Sequence, residues 1–168
     1  MGIVSFKSGE DFALRISKLA KSADKCAERA LKAAAAVVTD KVRANLTALP
    51  TDYRVGAGKD YYYLTQSEKF DGVPLAQKED LLESLGFTPI GLDKDGNYNI
   101  KIGFDGYGRQ PTQKYPRGIP NQLVARAVES GSSVREKHPF VRPASRSAKD
   151  AAIRAMDAVI AEEAEKTK

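Results

Sequence analysis

His138 is the only histidine in the chain, and Cys26 is its only cysteine. A catalytic histidine needs a nucleophile beside it and a group that orients the ring, and no motif here supplies either. Zinc would need companion histidine or cysteine ligands, and one thiol builds neither a thiolate site nor an internal disulfide. His138 precedes Pro139 at the expected start of a helix, so it reads as a hinge or contact residue. Gly56-Ala57-Gly58-Lys59 looks like the end of a phosphate loop, but Tyr53 stands in place of the first glycine and Asp60 in place of the Ser or Thr. A flexible loop is expected there. Asp93-Lys94-Asp95-Gly96-Asn97 lacks the spacing and closing Glu of a calcium loop and is expected to form a tight turn between strands. The acidic pairs Glu79-Asp80 and Glu162-Glu163 read as solvated helix surface. No catalytic, cofactor-binding or metal-binding residue is expected, and no cofactor.

Charge is the remaining chemical signal. The chain carries a net +5, and between Gly106 and Arg142 seven basic residues stand against Glu129 and Glu136 alone. That stretch therefore accounts for the whole excess. Arg109, Lys114, Arg117, Arg135 and Lys137 are its candidate DNA-facing residues, with phosphate as the target. A solvated basic loop region is the competing interpretation.

The elements that position these residues follow from periodicity. Glu10 to Leu49 contains neither Gly nor Pro. Phe12, Ile16, Leu19, Ala23, Cys26, Ala30, Ala33 and Val37 recur at steps of three and four, predicting a helix over about 8–49. Ser8 and Asp11 resemble a capping box, and Pro50 ends the run. A second row (Leu31, Ala34, Val38, Val42, Leu46 and Leu49) takes over in the distal half. Residues 50–74, with Tyr61, Tyr62 and Tyr63, are expected to be a long loop. A short helix over 75–85, a hairpin over 87–104, a loop over 105–119 and a helix over 120–130 follow. The hairpin strands are Phe87 to Leu92 and Tyr98 to Phe104. Pro120 opens the second short helix and Gly131 closes it. The last helix runs from about 140 to 165, with Val141, Ala144, Ala148, Ala151, Ala155 and Val159 along one face. At 168 residues one domain is expected. Its class is α+β: long terminal helices packed together, with a small antiparallel hairpin and short helices at one end. The N-terminus lacks the apolar run of a signal peptide, and no stretch has the length of a membrane span. With a single cysteine, this points to a chain folded in a reducing cytoplasm.

Three stretches carry a family resemblance. They are Gly103-Phe104-Asp105-Gly106-Tyr107, then Asn121 through Glu129-Ser130-Gly131-Ser132-Ser133, then His138-Pro139-Phe140-Val141-Arg142-Pro143-Ala144. In this order and spacing, with the long helix before and the helix after, the chain resembles the small tail-component family of long-tailed phages. Its members are neck, tail-completion or head–tail joining proteins. Segment 50–74 departs from the pattern, since other members often carry a short Asp-Thr-Gly turn before the middle helix. The resemblance implies a non-enzymatic virion protein without cofactor. It would be made in the host bacterial cytoplasm and assembled into a homo-oligomeric ring, six-fold in the family's setting. The implied partners are the head connector or head-closure protein and the tail tube or tail terminator, with non-specific DNA contact and no membrane. Tyr107, Glu129, Gly131, His138, Phe140, Arg142 and Pro143 become candidate interface or structural residues. A tail terminator, a minor tail subunit and a sequence-independent DNA-binding module are the alternatives.

Overall fold

The computed structural model describes residues 9–52, 69 and 71–166, with the side chains of the first helix from residue 22. Ser8, the Gly56-Ala57-Gly58-Lys59 stretch, Tyr61, Tyr62 and Tyr63 lie outside the described residues, as do the side chains of Phe12, Ile16 and Leu19. The first helix, α1, spans Gly9–Ala48 without a break, which at about 1.5 Å per residue makes a rod about 60 Å long. The last, α4, spans Val141–Lys166. They pack antiparallel: Arg29 of α1 meets Glu162 and Glu163 near the end of α4, and Asn45 reaches the Phe140 carbonyl at its start.

Small side chains let the two helices close up. Ala30 and Ala35 are buried on α1, as are Ala144, Ala148 and Ala152 on α4. Neither predicted row is followed to the letter. Ala23 is exposed, and Ala152 is more buried than Ala151, because an antiparallel pair buries the residues nearest its line of closest approach. The second predicted row on α1 does face inward: Val42 and Leu46 are in the core, with Val38 and Leu49 packed against it.

The core gathers where the alanine faces give way to larger residues. Val42, Leu46, Val73, Leu81, Leu85, Phe104, Val124, Val128 and Phe140 form one cluster. They come from α1, from the residue before α4, from two short helices, α2 (Leu75–Ser84) and α3 (Asn121–Ser130), and from short strands. β1 (Thr51–Asp52) pairs in parallel with β2 (Val73–Pro74), so segment 50–74 is not all loop: both its ends are tied together. Gly72 makes the approach possible. Its φ of 108° is left-handed, and a Cβ there would sit 2.5 Å from the Pro50 carbonyl oxygen.

The predicted hairpin forms, but as two short ladders built from four strands. β3 (Leu85–Phe87) pairs antiparallel with β6 (Ile102–Phe104), and β4 (Gly91–Leu92) with β5 (Tyr98–Asn99). The ladder breaks at Pro89, which has no N–H to contribute. Residue 85 is strand rather than the end of the short helix: α2 stops at Ser84 and Leu85 is already extended. The hairpin tip is the tight turn expected. Asp93 Oδ1 accepts from the N–H groups of Asp95 and Asn97, at 2.9 and 2.8 Å. The hairpin lies along α1 rather than only at one end, since β5 packs against α1 and the Asp24 carboxylate of α1 pushes the Tyr98 phenol pKa up. The whole is an α+β fold dominated by helix.

Candidate assembly surface

Starting a helix leaves about four N–H groups without intrahelical partners. At the start of α4 all four are accounted for. The Glu129 carboxylate accepts from Phe140 at 2.7 Å, Val141 at 2.8 Å and Arg142 at 3.1 Å, and Pro143 has no N–H to satisfy. Glu129 lies at the end of α3, 8% exposed, where its charge also suits the positive end of the α4 dipole. Arg142 Nε lies 3.8 Å from the same carboxylate, with its side chain 67% exposed. The Glu-Ser-Gly and Pro-Phe-Val-Arg-Pro stretches are thus two halves of one capping device.

The turn between α3 and α4 completes the joint. Gly131 ends α3 at φ 76°, and Ser132 and Arg135 bridge across the turn. The His138 N–H donates to the Val128 carbonyl at 2.9 Å. His138 Nε2 accepts from the Gly72 N–H at 3.0 Å, with Asp71 Oδ1 at 3.4 Å, so the ring ties the turn to the start of β2. Phe140 is fully buried and meets Phe104 edge-on, with centroids 5.9 Å apart. It anchors the core of the monomer and presents no surface to a neighbour. Arg142 and Pro143 are exposed, as is Tyr107, which bridges Pro120.

The basic residues divide. Arg135 is only 5% exposed and points inward, donating to the Gly72 carbonyl at 3.1 Å and to Gln77 Oε1 at 2.5 Å. It cannot face DNA. Arg109 is exposed but clasped by α2: Glu83 at 2.6 Å, Asp80 at 3.1 Å and Glu79 at 3.2 Å. The Glu83 hydrogen bond and these carboxylate charges push its guanidinium pKa further up. Its charge is offset within the chain, and its own N–H also donates to Asp80. Lys114, Arg117 and Lys137 are exposed as expected, and so is Arg126.

Lys114 and Arg117 ride on a loop that is far from slack. Gly108 bonds Ile119, Asn121 bonds the Gly106 carbonyl, and Thr112 and Tyr115 bond each other. Gly118 has φ 93° and passes so close to Gly108 that a Cβ would strike its carbonyl oxygen. Asp80, expected with Glu79 as solvated helix surface, is instead buried, because it faces Arg109 and accepts from its backbone N–H. Glu79, Asp80 and Glu83 share one turn of helix, a signal of a cation site, but the cation lies 26 to 30 residues away.

Among the described residues, no group of three or more His, Cys, Asp or Glu side chains is placed to hold a metal ion. No helix among them is long and apolar enough to cross a membrane. Compared with protein-family models, curated proteins and solved structures, the chain matches none.

Proposed function

We propose that this chain is a structural, non-catalytic virion protein of a tailed phage or prophage, a subunit of the neck or tail-completion ring that joins tail to head. The observation that carries the reading is the capping joint. Of the residues behind the family resemblance, those at Glu129–Gly131 and His138–Pro143 form one interlocked device that sets the angle between α3 and α4. A joint that fixes the angle between two helices suits a subunit whose role is shape. Exposed apolar side chains on several elements, among them Leu92, Tyr107, Val134 and Ile160, offer contact area to neighbours above, below and around the ring.

DNA contact, where it occurs, falls to Lys114, Arg117, Arg126 and Lys137, with Arg109 and Arg135 removed from the set. This weakens a free-standing DNA-binding role and leaves room for a few phosphate contacts along a passage.

The test is light scattering after size exclusion, with negative-stain microscopy of large species, on the chain alone and mixed with head-connector and tail-tube proteins. Closed rings of about six copies are expected. Failure to form rings alone and in both mixtures would overturn the reading.

A further inference from the structure

Gly86 and Gly103 face each other across the β3–β6 ladder, and nothing among the described residues requires a glycine at either position. Neither has a positive φ, and a Cβ on either would meet no atom within 4 Å. Glycine weakens a strand and leaves it nothing to pack with, so a pair of them marks a place where another surface comes close.

Side chains alternate along strands. The face showing Gly86 and Gly103 therefore also shows Ser84 and Thr88 on one side and Lys101 and Asp105 on the other. The opposite face sends Leu85 and Phe104 into the core. Rungs from Asp105 N–H to the Ser84 carbonyl and from Thr88 N–H to the Lys101 carbonyl extend the ladder at both ends. The two glycines lie in an open groove of about 730 Å³ that Phe87, Pro89, Ile102, Phe104 and Gln122 also line, with Asp105 and Lys101 at the two ends of its β6 side. Asp105 and Lys101 are four residues apart, about 13 Å along a strand.

We propose that this groove receives the outer face of α4 from a second copy of the chain. Lys149, Ile153 and Asp157 recur every fourth residue on α4 and are all exposed, Ile153 by 46%. They form one stripe about 12 Å long. Its order of cation, apolar side chain and anion complements the groove's anion, glycine pair and cation over a matching length. Lys149 seats against Asp105, Ile153 over the glycine pair, and Asp157 against Lys101. None of these four charged residues forms an ion pair with another described residue. Groove and stripe are different patches of one chain, so the contact is head-to-tail and closes into a ring under the right rotation. The choice of a second copy as occupant rests on the ring reading above.

The experiment is sedimentation velocity on the full chain and its variants. Gly103→Phe projects into open space, so its melting temperature should match wild type while self-association weakens by about tenfold or more. Asp105→Lys and Lys149→Asp should each weaken association, and the two together in one chain should restore it. An independent readout is an oxidised equimolar mixture of Gly103→Cys and Ile153→Cys chains, both in a Cys26→Ser background. A mixed disulfide dimer in excess of either homodimer is expected. Rings that survive Gly103→Phe would overturn the groove and leave the ring reading standing. Association lost with Gly103→Phe but not rescued by the charge exchange would mean a different occupant, which also overturns it. Absence of both association and mixed disulfide overturns the groove as well, whereas the ring reading fails only if co-assembly with connector and tube fails too.

Discussion

Glu129 is the residue that joins α3 to α4, because one carboxylate serves three backbone donors at the start of another helix. Glu129→Gln keeps the shape and removes the charge. It should lower stability by about 2 kcal/mol, seen as a melting point about 4–8 °C lower; an unchanged melt would mean the cap contributes little. Thr39 is the opposite case. It is 6% exposed, and its hydroxyl has no hydrogen-bond partner among the described residues. Thr39→Val keeps the branched shape and removes a desolvated hydroxyl, so stability should rise by about 1 kcal/mol. A fall in denaturant midpoint would show that the hydroxyl has a partner after all. In sequence Glu129 belonged to a family-like stretch, but its role depended on an acceptor reaching 11 to 13 residues along the chain, which no local pattern encodes.

At the scale of elements, the hairpin tip carries its own stabilising charge. Asp93 sits below the ordinary carboxylate range because the Asn97 N–H bonds it, with Asp95 and Gly96 assisting. The stabilisation is therefore present above about pH 4 and lost as pH falls through the lower folded value. Carboxyl NMR should find Asp93 titrating below its unfolded range, with the Asp95 and Asn97 amides exchanging faster once it is protonated. An ordinary midpoint would mean that the turn's hydrogen bonds do not persist. The type and order of the helices were legible in the sequence because their 3.6-residue period survives over many turns. The strands were legible only as a region. Pro89 splits the hairpin into two ladders, and the β1–β2 pair joins residues about 20 positions apart, a contact that local patterning does not reveal.

For the whole molecule, the consequential quantity is how much of the basic excess faces outward. Two of the five candidate DNA-facing residues, Arg109 and Arg135, are spent internally. DNA binding by the full chain should therefore follow the remaining Lys114, Arg117 and Lys137, joined by the exposed Arg126. The logarithmic salt dependence should be no steeper than about −4 and should be largely lost when all four become alanine. A steeper slope that persists in that variant would show that other cations reach the phosphates.

The sequence by itself determined the class of the fold, the span of the long helices, the tight turn at Asp93 and the local charge excess. Each of these is written in residues near one another along the chain. Only the tertiary structure decided which charges are free, since an arginine is neutralised or buried by partners far away in sequence. It alone decided that Phe140 anchors the monomer, that Glu129 caps a helix other than its own, and that Gly86 and Gly103 stand opposite each other. Burial and partnership are properties of packing, and packing joins residues that the order of the chain keeps apart.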